Sequence, residues 1–236
     1  MSGIAVQEME LMGRKIGPGH PTFIILEAGV NHDGNIEDAL KMVEVARECG
    51  GDAVKFQKRD LESLYRKDAL DNPSDASHGI GVYMPTIRRC ELSEDDHFRL
   101  KEKCDEVGIK YLCSPWDVQS LGFLESIKVE AHKIPSACLS DIFLMRCASL
   151  TNKPIILSTG MHSEQEVERL LATYGKTLPG RMAVLHCVSS YPTAERDVNL
   201  GYMVKLSSMG YTVGYSGHER GVPVTVAAVA LGARII

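Results

Sequence analysis

The chain has 236 residues, of which 44% are hydrophobic and 24% are charged, and its formal net charge is −5. This composition is typical of a globular protein and excludes low-complexity and collagen-like chains. The net negative charge argues against a protein that mainly binds nucleic acid, because neutralising phosphates requires a basic face. No uncharged apolar run reaches the roughly 20 residues of a membrane helix, and we expect neither a membrane anchor nor a secretory leader.

Cysteine usage indicates the cellular compartment. The seven cysteines are odd in number, and no pair has the CxxC spacing of a metal or redox motif. We therefore predict reduced thiols, packed mostly as small hydrophobes, in a cytoplasmic protein.

Short apolar runs alternate with helical patterns along the chain. Seven runs predict strands, and an eighth strand opens at the end; they lie at 23–26, 53–57, 110–114, 131–134, 154–158, 182–187, 211–215 and 233–236. Helices are predicted between them, one of them opened by the capping box Ser163-x-x-Glu166. Parallel strands separated by helices are buried on both faces of a sheet.

The rate at which these units repeat predicts an α/β fold, a (β/α)8 barrel that is incomplete at the eighth unit. A complete barrel typically needs about 250 residues. We expect residues 1–20 to form an N-terminal extension and residues 21–236 the barrel domain, with the last strand cut. A doubly wound sheet is the alternative, but neither GxGxxG nor GxxxxGK[ST] supports it.

A polar segment from Lys58 to about Leu92 interrupts the alternation after the second strand. It contains Asn72-Pro73-Ser74, Gly79 and Gly81. We predict an excursion or lid over one face of the barrel.

Polar residues recur at the carboxyl ends of the predicted strands, where parallel barrels place their active sites. Lys55 and Gln57 are two residues apart and therefore point to the same side of a strand. Two lysines and several hydroxyls at one mouth would suit a phosphate and a carboxylate. Glu27 is available for proton transfer, and His218 could bind a divalent metal or shuttle a proton.

Each of these residues has a simpler explanation when it is taken alone. A lysine near a strand end is commonly a solvated rim residue, and a lone histidine in a loop is usually structural. Ser158-Thr159-Gly160 is typical of turn chemistry, and Trp116 of a packing anchor. Repetition at the same end of nearly every strand favours the functional interpretation.

Seven segments, in this order, resemble the sialic acid synthase family of phosphoenolpyruvate-dependent enzymes. The resemblance runs from about residue 20 to the last residue. The matching segments are Glu27-Ala28-Gly29-Val30-Asn31-His32-Asp33-Gly34, Val54-Lys55-Phe56-Gln57, Ser114-Pro115-Trp116-Asp117, Lys133-Ile134-Pro135-Ser136, Leu157-Ser158-Thr159-Gly160-Met161, His186-Cys187-Val188-Ser189-Ser190-Tyr191-Pro192 and Gly214-Tyr215-Ser216-Gly217-His218.

The resemblance implies condensation of phosphoenolpyruvate with the open-chain aldehyde of an N-acetylmannosamine-type sugar, with release of phosphate. It implies a divalent metal, manganese or magnesium, that polarises the aldehyde. The implied roles are acid/base for Glu27, metal ligand for His218 and sugar contact for Gln57 and Tyr191. The residues implied to hold phosphoenolpyruvate are Lys55, Lys133, Ser136, Ser158, Ser189 and Ser216.

The chain departs from the family pattern at two places. It has Gly217 and Glu219 where many members have Asp and Thr on either side of the histidine. The family's second histidine ligand, eighth helix and antifreeze-like C-terminal domain, which reaches across a homodimer, would all follow Ile236. We therefore expect a homodimer in the full-length form.

Three alternatives remain open at the sequence level. A related phosphoenolpyruvate-dependent keto-acid synthase would act on a sugar phosphate, although no second cluster of arginines supports this. A non-catalytic barrel would bind phosphoenolpyruvate without turnover. A barrel open between strands one and seven would expose aggregation-prone edges.

Overall fold

A computed structural model describes residues 8–71 and 80–236. The strands are β1 (Met9–Leu11), β2 (Arg14–Ile16), β3 (Ile25–Gly29), β4 (Ala53–Lys58), β5 (Lys110–Pro115), β6 (His132–Ile134), β7 (Ile155–Ser158), β8 (Met182–Cys187) and β9 (Thr212–Ser216). The α-helices are α1 (Ile36–Glu48), α2 (Leu61–Leu64), α3 (Lys67–Asp71), α4 (Ile80–Cys90), α5 (Glu94–Val107), α6 (Val118–Ser126), α7 (Ile142–Leu150), α8 (Glu164–Tyr174), α9 (Leu200–Ser208) and α10 (Pro223–Ala230).

The described residues fall into two compact units: residues 26–129, and residues 8–25 together with 130–236. All seven predicted strands are present, and the largest shift is at the first, where the strand is Ile25–Gly29 rather than 23–26. Within the described residues, no helix has the length and apolar character needed to cross a membrane.

The unit of residues 26–129 contains the sheet β3-β4-β5, in which β4 and β5 are parallel. Phe56 and Tyr111 are buried on adjacent strands, and their rings stack with centroids 6.0 Å apart. Helices α1 and α5 supply further buried residues, among them Val43 and Leu100. This apolar core holds the carboxyl end of β4 in place.

The other unit contains the parallel sheet β6-β7-β8-β9. Its strands are nearly continuous apolar runs, as expected for a parallel sheet covered on both faces. Helix α8 begins at the predicted capping box, where the Glu166 carboxylate accepts from the Ser163 backbone N–H at 2.8 Å. The predicted box is confirmed.

Residues 234–236 continue this sheet beyond β9. The Arg234 N–H donates to the Val213 carbonyl at 2.8 Å. On the other side, Phe23 forms a parallel bridge with Ile235. The expectation of an exposed edge on strand seven is therefore wrong, because the last residues hydrogen-bond to it.

The segment predicted as an N-terminal extension contains an antiparallel hairpin of β1 and β2. Its two-residue turn has Met12 at φ 51° and Gly13 at φ 81°, positive values that suit the twist of a tight hairpin. Leu11 and Ile16 are fully buried. The sequence signal for this hairpin is weak, because methionine rather than the usual asparagine precedes the glycine of the turn.

The segment 58–92, predicted as an excursion or lid, contains the helices α2, α3 and α4 in its described part. Asp60 opens α2, since its carboxylate accepts from the Ser63 N–H at 2.8 Å. Asn72-Pro73-Ser74 and Gly79 lie outside the described residues.

All seven cysteines are free thiols, and five of them are buried. The prediction of reduced thiols packed as small hydrophobes is confirmed for those five: Cys90, Cys104, Cys113, Cys138 and Cys187.

Candidate functional site

Strands β3 and β4 bring a carboxylate and an ammonium together. The Lys55 Nζ lies 2.6 Å from the Glu27 Oε2 and donates to the Ser114 hydroxyl at 3.3 Å. Lys55 is 7% exposed, so the simpler explanation of a solvated rim lysine does not hold for it. The Glu27 side chain is 50% exposed, and a carboxylate on an apolar strand is tolerated because it is paired and reaches water.

The Gln57 side chain lies next to this ion pair. A Cβ built on Gly29 would be 3.1 Å from the Glu27 Oε1 and 3.7 Å from the Gln57 Nε2. Because Gly29 has no side chain, a space remains beside it. The Glu27 carboxylate oxygen and the Gln57 amide NH2 both lie next to this space. The prediction that Lys55 and Gln57 serve the same face of β4 agrees with this arrangement.

Arg59 follows β4 and is buried between a ring and an amide. Its guanidinium carbon lies 4.0 Å from the centre of the Trp116 ring, and its Nη2 donates to the Gln57 Oε1 at 2.6 Å. Glu91 accepts from the Arg59 backbone N–H at 2.9 Å and forms an ion pair with Lys58 at 2.8 Å. Burial raises the pKa of the Glu91 carboxyl despite these donors.

In the unit of residues 130–236, the second lysine lies on β6. Lys133 is 5% exposed, and its Nζ donates to the Ile134 carbonyl at 3.3 Å. The rim interpretation is therefore wrong here too. A buried ammonium is favourable only where hydrogen-bond acceptors or an anion replace water.

Gly160 marks the point where hydroxyls and a thiol meet. A Cβ built there would be 2.9 Å from the Ser136 Oγ and 3.2 Å from the Cys187 Sγ, and closer still to the Ser189 Oγ. The glycine after β7 is thus required by close approach, and the turn interpretation of Ser158-Thr159-Gly160 misses this. A cavity of about 300 Å³ is lined by Gly160, Cys187 and Ser189 and by Thr159 and His186, among others.

Two further predicted serines end the strands on either side of β8 in this sheet. Ser158 closes β7, and its hydroxyl is buried without a hydrogen-bond partner. Ser216 closes β9 opposite Cys187 in the strand register and is half-buried. A buried hydroxyl without a partner is rare in proteins and is compatible with a ligand that supplies one.

Cys187 and His218 form a close pair. The His218 Nδ1 lies 3.9 Å from the Cys187 Sγ and donates to the Val188 carbonyl at 2.8 Å. Burial tends to raise the pKa of the Cys187 thiol, but the His218 contact, helped by Ser136 and Lys133, lowers it overall. Burial opposes protonation of His218, but the Cys187 and Val188 contacts raise its pKa above the ordinary value.

The predicted metal ligand and sugar contact lie together. The exposed Tyr191 ring has its centre 4.0 Å from that of His218. Glu219, at the position where many family members have threonine, accepts from the Tyr215 hydroxyl at 2.7 Å. Among residues 8–71 and 80–236, no group of three His, Cys, Asp or Glu side chains could hold a metal ion. His218 thus offers one nitrogen, Nε2, and the described residues do not complete a metal site.

The structure therefore brings the predicted residues together in two sets. Glu27, Lys55 and Gln57 form one set, and the second set comprises Lys133, Ser136, Ser158, Ser189, Tyr191, Ser216 and His218. Sequence reasoning missed Arg59 and Cys187 as partners in these sets. The spacing of Arg59 two residues after Gln57 was a usable signal, whereas nothing local marks a thiol that contacts a distant histidine.

Comparison with known proteins identifies relatives along almost the whole chain. The family model described as "NeuB family" matches residues 42–236. Human N-acetylneuraminate-9-phosphate synthase is 35% identical over 97% of this chain. The N,N'-diacetyllegionaminic acid synthase of Legionella pneumophila is 38% identical over 93% of it. The chain spans 65% and 64% of the lengths of these two relatives.

Solved structures agree with the sequence comparison. The N-acetylneuraminic acid synthetase of Leptospira borgpetersenii, crystallised in complex with citrate, has a TM-score of 0.85 and 33% identity, covering 98% of this chain and 77% of that one. A truncated 3-deoxy-D-arabino-heptulosonate 7-phosphate synthase of Thermotoga maritima has a TM-score of 0.69 at 18% identity, a likeness of fold alone, covering 98% of this chain and 79% of that one. The predicted α/β fold of the (β/α)8 class is confirmed. The chain belongs to the NeuB family.

Proposed function

We propose that this protein condenses phosphoenolpyruvate with the open-chain form of an N-acetylmannosamine-type sugar. The products are a sialic-acid-like nine-carbon 2-keto acid and phosphate. The observation that carries the proposal is the burial of two lysines, Lys55 and Lys133, which are 7% and 5% exposed. Buried ammonium groups next to hydroxyls suit a ligand with a phosphate and a carboxylate. The names of the relatives support the class of product.

The roles follow from the chemistry of each group. Lys133, with the hydroxyls around Gly160 and the unpartnered Ser158 hydroxyl, supplies positive charge and donors to phosphoenolpyruvate. The resemblance implies a role in binding phosphoenolpyruvate for Lys55 and for Ser216 as well. Gln57 and Tyr191 contact the sugar.

The reaction requires water to give up both of its protons. Carbon 3 of phosphoenolpyruvate bonds to the aldehyde carbon, and the aldehyde oxygen takes up one proton. Water adds to the cation left at carbon 2, and its oxygen loses both protons as it becomes the keto oxygen. The carbon–oxygen bond to phosphate breaks, and the leaving phosphate takes up the other proton. We assign the proton transfer to Glu27, whose half-exposed carboxylate forms an ion pair with Lys55.

A divalent metal, manganese or magnesium, would polarise the aldehyde when bound. His218 is the only group that we assign to it, and the described residues do not complete the site. No step above depends on the metal. The free cysteines favour a reducing compartment, so we propose that the reaction takes place in the cytoplasm, in a homodimer of the full-length form.

The direct test supplies the full-length protein with phosphoenolpyruvate, manganese and one sugar at a time. The panel contains N-acetylmannosamine, its 6-phosphate and a bacillosamine-like diamino analogue. We expect phosphate and a 2-keto acid to appear together with at least one of them. If neither product forms with any sugar, the assignment fails.

A related synthase acting on a sugar phosphate is the second candidate, favoured by the human relative named as a 9-phosphate synthase. The same panel separates the two, because only that candidate requires the 6-phosphate. A non-catalytic phosphoenolpyruvate-binding protein is a third outcome. Calorimetry would then detect binding of phosphoenolpyruvate in the absence of turnover.

A further inference from the structure

We propose that Arg59 is a positioning residue that sets the orientation of the Gln57 amide and so determines that Gln57 donates, rather than accepts, a hydrogen bond to the sugar. This inference rests on the proposed function. It deepens that function by adding a specificity-determining residue.

Arg59 is held from several sides within its own unit. The guanidinium lies over the Trp116 ring at 4.0 Å from its centre, a distance at which a cation is attracted to the face of the ring. The Arg59 backbone N–H donates to the Glu91 Oε1 at 2.9 Å, and its Nη1 lies 3.9 Å from the Glu91 Oε2. The side chain is 9% exposed, so few other rotamers are available to it.

The position of the Arg59 guanidinium determines on which side the Gln57 amide has its oxygen and on which side its NH2. An arginine has only donors, whereas a glutamine amide has an acceptor oxygen and a donor NH2. The contact of 2.6 Å between the Arg59 Nη2 and Gln57 therefore requires the Gln57 Oε1 to face the arginine. The Nε2 is left on the other side of the amide.

The free end of the amide borders the Glu27 carboxylate. The Gln57 Nε2 and the Glu27 Oε1 lie 3.7 Å and 3.1 Å from the same point beside Gly29. A substrate group placed there meets a donor from Gln57 and an acceptor from Glu27. The pair suits a hydroxyl of a polyhydroxy aldehyde, which can accept from Gln57 and donate to Glu27, and selects against a group that offers only donors to Gln57.

The test uses Arg59→Met in the full-length protein. Methionine keeps an apolar stem against Trp116 but has no donor for Gln57. We expect the KM for the sugar to rise about tenfold, in line with loss of a hydrogen bond that involves a charged group. The KM for phosphoenolpyruvate should change less than twofold. Arg66→Met is the matched control, since Arg66 is 86% exposed and pairs only with Asp68 among the contacts described for it.

A double-mutant cycle separates positioning from direct contact. In a Gln57→Ala background, Arg59→Met should change the sugar KM less than twofold, because Arg59 has no amide left to orient. Equal effects of Arg59→Met in both backgrounds would overturn the proposal. If Arg59→Met fails to fold, Arg59→Lys is used, which keeps a donor but not the planar contact with Trp116; it should show a smaller rise in the sugar KM.

A readout without turnover keeps this inference distinct from the proposed function. The Gln57 side-chain NH2 signals in a nitrogen–proton NMR spectrum, assigned by their loss in Gln57→Ala, should shift in Arg59→Met without any substrate. A shift in a protein that turns over none of the sugars would retain the orientation and reject the function. Unshifted signals in an active protein would reject the role of Arg59.

Discussion

Two buried lysines, Lys55 on β4 and Lys133 on β6, have different surroundings in this protein. Lys55 faces a carboxylate of the chain itself, since the Glu27 Oε2 lies 2.6 Å from its Nζ. Lys133 donates to a backbone carbonyl and lies in the group of hydroxyls and the thiol around Gly160. The exposed fractions of the two lysines are nearly the same, 7% and 5%.

This difference between the neighbours of Lys55 and Lys133 indicates that two equally buried lysines can serve different chemistry. A lysine paired with a carboxylate of the chain holds that carboxylate in position for proton transfer. A lysine that lies beside hydroxyls adds its positive charge to donors that can bind the same anion. We therefore expect Glu27 to matter mostly for turnover and Lys133 mostly for affinity.

The largest expected effect is on turnover in Glu27→Gln. The amide keeps the size of the side chain but cannot exchange a proton, so kcat should fall about a thousandfold, within the range known for general acids and bases. The Kd for phosphoenolpyruvate, measured by calorimetry, should change less than threefold. Glu37→Gln, at an exposed carboxylate paired with Arg99, is the control. A kcat within tenfold of wild type would contradict the acid/base role.

The next effect is on affinity in Lys133→Ala. Loss of a buried charge that meets an anion should raise the Kd for phosphoenolpyruvate about a hundredfold. Lys55→Ala should raise it less, because Glu27 already balances that charge. Lys176→Ala, at an exposed lysine, should leave the Kd unchanged. Equal Kd values for wild type and Lys133→Ala would remove the anion-binding assignment.

A smaller effect concerns the pH dependence of stability in the unit that carries Lys55. His97 on α5 is fully buried, hydrogen-bonds to the Tyr111 hydroxyl at 2.7 Å, and has its pKa lowered by burial to about 3. The unfolded chain, with an ordinary histidine pKa near 6.5, takes up this proton first as the pH falls. The stabilisation that comes from keeping His97 neutral in the folded protein is therefore complete above about pH 6.5 and is lost as the pH falls towards 3.

At pH 5 that loss should amount to about 2 kcal/mol of unfolding free energy relative to pH 7. His97→Asn cannot titrate, so its unfolding free energy in urea should fall less between pH 7 and pH 5 than that of wild type. Parallel decreases in the two proteins would show that His97 does not carry this sensitivity.

The smallest expected effect tests whether the hydroxyls around Gly160 contribute to ligand binding. Gly160→Ala would push its methyl group into the Ser136 and Ser189 hydroxyls, which can rotate away. We expect about a tenfold rise in the Kd for phosphoenolpyruvate, in line with loss of a hydrogen bond that involves a charged group, and a nearly unchanged Tm. Gly122→Ala, in open space on α6, should raise stability by about 0.5–1 kcal/mol and leave the Kd unchanged. A Kd unchanged by Gly160→Ala would separate these hydroxyls from ligand binding.

Local patterns were sufficient for most of the fold. The apolar runs and the capping box at Ser163 predict the strands and the start of α8, because both depend on residues close in sequence. The β1–β2 hairpin and the helices after Lys58 were missed. Their signals are short, and the hairpin is stabilised by burial of side chains such as Leu11, which the local pattern does not reveal.

The types of residue at the strand ends, and hence the kind of chemistry, were readable from spacing and order along the chain. The partners of those residues were not. That Lys55 meets Glu27, that Arg59 lies over the Trp116 ring, and that Cys187 contacts His218 are all consequences of packing between distant segments. Periodicity reports which side of an element is buried, whereas the charge balance and pKa of a buried group depend on which neighbours the fold places within a few ångströms.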